Sequence, residues 1–191
     1  MDVRGEARIA RWGVAVAAGV ALAAAGAQGM SYGVGARWAM PLDMNTHASV
    51  FGIVSLLALA TAIAPATMLS LTRAIPGAES LLVPALLAVL LGLRVLHPEK
   101  VVLYALPIVV ATFVVLWRQA AATGSDARRV IRTGCVTLVG AYIVHALGAL
   151  GYDGHGWLEQ SKLLVGHAGE LAGWLLVAAG LAAAYIGVRR A

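Results

Sequence analysis

The feature that most limits how this chain can fold is its succession of long apolar stretches, separated by short connections. Each is close to the roughly 20 residues a helix needs to cross the hydrocarbon of a bilayer. Within that layer every backbone N–H and C=O must be paired inside the protein, which leaves helices or a closed barrel. The stretches lack the period-2 alternation of barrel strands, so helices are expected. Composition agrees: 61% of the 191 residues are hydrophobic and 12% are charged, about half the charged share of a soluble domain.

The expected fold is an all-α, polytopic membrane bundle of six spans forming one membrane domain over residues 1–191. The spans run approximately over 12–28, 46–71, 80–96, 100–117, 131–150 and 161–188. The breaks have physical causes: Pro76-Gly77, His97-Pro98, Gly124-Ser125-Asp126 and the Gly151–Gly156 stretch are turn chemistry. Residues 1–29 also fit a signal peptide, with Arg4, Arg8 and Arg11 before an apolar run and Ala25-x-Ala27 as a cleavage site. The reading adopted keeps this segment as the first span.

Basic residues orient the chain. Arg4, Arg8, Arg11, Arg73, Arg118, Arg128, Arg129, Arg132, Arg189 and Arg190 fall at the termini and in the second and fourth connections. Arg37, Arg94, Lys100 and Lys162 fall in the other three. This asymmetry predicts a bacterial inner membrane protein with both termini in the cytoplasm. The formal charge of +5 is therefore spent on orientation and anionic headgroups, and no nucleic-acid partner is expected.

Under that topology all five histidines lie on the outer side: His47 at the start of span two, His97 at the end of span three, His145 in span five, His155 in the loop, and His167 in span six. At 1.5 Å per residue, His47, His145 and His167 can share one layer roughly 5–10 Å below the outer surface. Neutral imidazole is the commonest metal ligand, and bundle cores assemble such sites from facing helices. Glu170 follows His167 by three residues and shares its helix face, and Trp174 continues that face. A carboxylate within a span is costly and points to function. Glu170 is open to three roles: a ligand, an acceptor that fixes a histidine tautomer, or a proton carrier.

Plainer roles compete. His47 follows Asp43 by one turn and can cap or anchor its helix. His155 sits in a Gly-rich loop and His97 at a helix end, so both read as surface residues. His145 and His167 can instead be interhelical hydrogen-bonding groups. Cys135, the single cysteine, has no partner for an intrachain disulfide or a CxxC motif and reads as a small buried thiol. Gly169-x-x-x-Gly173, and the glycines and alanines of span one, permit close helix packing within the chain or against other membrane subunits.

Two stretches carry a family resemblance. Thr46-His47-Ala48, with its apolar run to Pro65, and His97-Pro98-Glu99, with Tyr104 downstream, resemble parts of haem–copper oxidase catalytic subunits and related haem- or copper-binding membrane proteins. The resemblance covers about 35 residues. It implies a low-spin haem ligand role for His47 and a copper ligand role for His97. Tyr104 stands seven residues after His97 rather than the family's four, and no His-His pair occurs, so haem is implied and oxygen reduction is not.

The leading expectation is a haem b or, alternatively, copper or zinc site on His47, His145 and His167, with Glu170 beside or among the metal ligands, serving electron transfer. A zinc-dependent intramembrane hydrolase uses similar residues, although no HExxH spacing occurs. A non-catalytic accessory subunit of a larger membrane complex fits the small size and short loops. A transporter is the weakest alternative, although Pro65 and Pro107 interrupt two spans.

Overall fold

The structure is a computed structural model that describes residues 44–71, 81–96, 106–150 and 157–190. Among them the fold is all-helical: α1 (Met44–Leu71), α2 (Leu82–Leu96), α3 (Leu106–Ala120), α4 (Ser125–Leu150) and α5 (Trp157–Arg190). The expected first span, His97, Tyr104 and His155 lie outside the described residues, as does the side chain of His47.

Among the described residues, three helices contain windows long and apolar enough to cross a membrane: Val54–Leu71, Ser125–Gly148 and Val165–Val188. The shorter helices α2 and α3 carry the apolar runs Leu82–Leu93 and Pro107–Ala120. The chain is a helical membrane protein, and these windows imply contact with lipid.

Local chemistry sets the helix ends. Pro84 and Pro107 stand in the first turns of α2 and α3, where a missing N–H costs nothing. α3 closes through tight backbone bonds from Ala121 to Arg118 and from Ala122 to Gln119, both 3.0 Å. The Gly124 carbonyl then accepts the first bond of α4, from the Arg128 N–H at 2.9 Å. Asp126 complements the positive end of that helix. α4 consequently starts at Ser125, well ahead of the apolar run from Ile131, because Arg128, Arg129 and Arg132 suit a helix as well as any residue and only lower its hydropathy.

The helices pack in a circuit. Each lies against its neighbour in chain order, and α5 closes the ring by packing on α1 as well as α4. The α4–α5 contact is the most extensive, and glycine explains it. A Cβ added at Gly166 would come within 2.8 Å of His145 Cβ, one at Gly169 within 2.8 Å of Ala141, one at Gly173 within 2.5 Å of Leu138, and one at Gly180 within 2.6 Å of Ile131. From the other side, Gly134 meets Val177 at 2.9 Å. The pairing descends one helix as it climbs the other, so α4 and α5 are antiparallel. Gly166, Gly173 and Gly180 recur every seven residues, the repeat that keeps one seam in register between helices crossing at a small left-handed angle. Lipid tails offer no hydrophobic drive for helix association, so close van der Waals contact of this kind must supply it.

The face of α4 away from the seam is apolar and exposed, through Val136, Val139, Ile143 and Leu147, and α3 presents Val110, Val114 and Trp117 likewise. Spacings of three and four residues make each a single stripe, as a lipid-facing surface requires. Several hydroxyls are satisfied within their own helix: Thr67 donates to the Ile63 carbonyl at 2.7 Å, Ser70 to Ala66 at 3.0 Å and Thr112 to Ile108 at 2.7 Å. Cys135 is a free, buried thiol.

Candidate metal centre

The glycine seam ends in a polar cluster. Gly166 lets α5 approach the backbone of His145, and His167 and Glu170 on α5 flank that contact. One nitrogen from each of His145 and His167 and one carboxylate oxygen of Glu170 all lie within 4.8 Å of one another. His145 Nδ1 stands 3.6 Å from Glu170 Oε1. The two imidazole rings meet edge to face, with centroids 4.3 Å apart and planes at 62°.

Burial makes this arrangement chemically unusual. Glu170 is fully buried, at 0% exposure, and the His145 side chain retains 12%. His145 Nδ1 is itself buried and has no hydrogen-bond partner, since 3.6 Å is beyond hydrogen-bonding reach. A carboxylate in such surroundings needs a compensating positive charge or a proton. Trp174, one turn beyond Glu170, is also at 0% exposure, and its Nε1 lacks a hydrogen-bond partner.

The geometry suits a small cation. Ligand atoms around a four-coordinate zinc stand about 3.3 Å apart when each bond is about 2.0–2.1 Å. The His145–Glu170 separation is already near that value, and the widest separation in the trio, at most 4.8 Å, exceeds it by about 1.5 Å, within the reach of side-chain rotation. Two imidazoles and one carboxylate form a borderline donor set that suits zinc, iron or copper. Three protein ligands leave a coordination position open.

The cluster lies close to one end of the apolar windows. By helical rise, His145 is about 4–5 Å inside the end of its window at Gly148, His167 about 3 Å inside the start of its own at Val165, and Glu170 about 7–8 Å. Of the four residues singled out by sequence, the structure thus joins His145, His167 and Glu170.

His47 belongs to the first turn of α1, and only its backbone position is described. Leu69, near the other end of α1, lines a cavity with Ala184 and Gly187 of α5 and Gly124 of α4. α1 and α5 therefore run parallel, and the first turn of α1 is at the histidine end of the bundle. Gly166 is the functional residue that sequence reasoning passed over, although its seven-residue spacing from Gly173 and Gly180 was a usable signal. Comparison with families of known proteins, with curated proteins and with solved structures finds no match.

Proposed function

We propose that this protein is a membrane-embedded metal-binding protein whose His145, His167 and Glu170 hold one transition-metal ion, with zinc the best-matched ion and copper the next. The observation that carries this reading is the convergence of the three donor atoms within 4.8 Å from two helices held together by glycine. Zinc fits because two histidines and a glutamate are a known catalytic donor set for it, and because it tolerates the short-range adjustment needed. The open position gives the ion room to polarise a water or a substrate oxygen, as in metal-assisted hydrolysis. A redox role replaces hydrolysis if the ion is copper.

In this reading the bundle has six spans, the first over 12–28, and both termini face the cytoplasm of a bacterial cell. The metal then lies in the outer leaflet half. Support comes from the arginines of the α3–α4 connection, at the end of α4 opposite His145.

Haem b is a second reading, favoured by the parallel course of α1 and α5, which brings the His47 turn to the same end. Ring centroids 4.3 Å apart leave no room for a porphyrin between His145 and His167, since axial nitrogens alone are about 4 Å apart across the iron. A haem therefore requires His47 together with only one of the two.

The test is metal analysis and absorption spectroscopy of the full chain purified in detergent and equilibrated with zinc. The expected result is about one zinc per chain without a Soret band, lost in both His145→Ala and His167→Ala. A Soret band that shifts on reduction and depends on His47 would replace this reading with the haem one. Absence of both metal and chromophore would overturn both and favour an accessory-subunit role.

A further inference from the structure

At the opposite end of α4 the molecule presents a second unusual cluster. A cavity of about 530 Å³ opens between α3 and α4, lined by Trp117, Arg128, Arg129, Arg132, Thr133 and Val136 among others. The Arg132 guanidinium carbon stands 4.8 Å above the Trp117 ring, a cation–π contact that holds it at the cavity wall. Arg128 is tied at one end, its Nη2 donating to the Thr123 carbonyl at 3.1 Å. The Nε–H groups of Arg128 and Arg132 are buried without a hydrogen-bond partner. Among the described residues, no carboxylate comes within ion-pairing distance of Arg128, Arg129 or Arg132.

Three uncompensated guanidinium groups beside a hydrocarbon-facing surface call for an anion that itself resides at a membrane interface. The cavity shows where the rest of that molecule lies. Val136 lines it and is 61% exposed, and the exposed stripe continues along the same face through Val139, Ile143 and Leu147. A charged mouth running into an apolar track matches an amphiphile, with phosphate at the arginines and an acyl chain along the valines. A free phosphate ion uses only the first half of this surface. Arginine also suits phosphate geometrically, through paired N–H donors.

We propose that this cavity binds the headgroup of an anionic phospholipid, with Arg128, Arg129 and Arg132 on the phosphate and the α4 stripe against an acyl chain. The proposal needs the membrane reading and is independent of the metal centre, which lies about 25 Å away along α4 by helical rise.

The experiment is native mass spectrometry of the full chain in detergent, titrated with phosphatidylglycerol or phosphatidylcholine of identical chains, with and without millimolar inorganic phosphate. Each guanidinium near a membrane surface contributes roughly five-fold to anionic lipid binding. Wild type is therefore expected to prefer phosphatidylglycerol by about ten-fold or more, and Arg128→Gln/Arg132→Gln to lose most of that preference. Arg129→Gln, at the exposed rim, is expected to lose roughly five-fold and serves if the double variant does not fold. Equal binding of both lipids by wild type would overturn the proposal, as would a preference that survives in the variants. Displacement of the lipid by inorganic phosphate would also overturn it, by showing a site for the ion alone.

Discussion

The two ends of the α4–α5 pair are built from the same helices and the same seven-residue glycine rhythm, yet they pack differently. At the histidine end, Gly166 presses against the backbone of His145 and three polar side chains converge in a tight layer. At the arginine end the rhythm continues to Gly187 and Gly124, but a Cβ on either would meet nothing within 4 Å. There the helices part around a cavity lined by Gly124, Ala127, Ala184 and Gly187. Glycine spacing alone therefore does not bring helices together. What differs is the company: Ala141, Leu138 and Ile131 meet the glycines of α5 along the seam, whereas Gly124 and Gly187 at its far end face only open space. Close packing converges ligands at the histidine end, whereas at the arginine end α4 and α5 part, and the separate cavity proposed for the headgroup lies on the α3 side of α4.

This contrast can be broken by substitution, and the largest effect is expected at the ligands. His167→Ala should lower zinc affinity by at least about 100-fold, beyond the 10–100-fold typical of removing a residue that only supports a ligand. Glu170→Gln keeps the shape and removes the charge, so competition titration against a chelator should show nearly as large a loss. If Glu170→Gln binds zinc normally, the carboxylate is not a ligand.

The seam comes next. Gly173→Leu is expected to destabilise the protein by about 1–3 kcal/mol through overpacking against Leu138, read as a lower Tm in detergent. Gly166→Leu should have a similar stability cost and also reduce zinc affinity, because it pushes His145 away. Gly187→Leu, over open space, is expected to change Tm little. Equal losses at Gly173 and Gly187 would erase the distinction between the two ends.

The smallest effect is expected away from both. The Ser55 hydroxyl is buried at 0% exposure without a hydrogen-bond partner. Removing an unsatisfied polar group is nearly neutral or slightly stabilising, so Ser55→Ala should leave Tm unchanged or raise it, with a shift worth at most about 1 kcal/mol.

Much of this was readable from residues alone, for physical reasons. The helical membrane class follows from apolar length and backbone hydrogen bonding. His145, His167 and Glu170 stood out because polar groups are rare within apolar spans. The start of α4 at Ser125 was harder to see, because hydropathy reports bilayer depth and not helical hydrogen bonding, and the arginines obscured it. The circuit of helices and the approach of Gly166 to His145 depend on contacts between distant segments, which a one-dimensional pattern does not encode. Glu170 and Trp174 share one face by spacing, but their complete burial depends on the neighbouring helices.

The central claim is that one ion is bound jointly by α4 and α5, and X-ray absorption at the metal edge tests it most directly. For the zinc-loaded full chain the account predicts a first shell of imidazole nitrogen and carboxylate oxygen at about 2.0–2.2 Å, with imidazole outer-shell scattering from two rings that falls to one in His145→Ala. Zinc with no imidazole scattering, or a spectrum unchanged in both His145→Ala and His167→Ala, would contradict it.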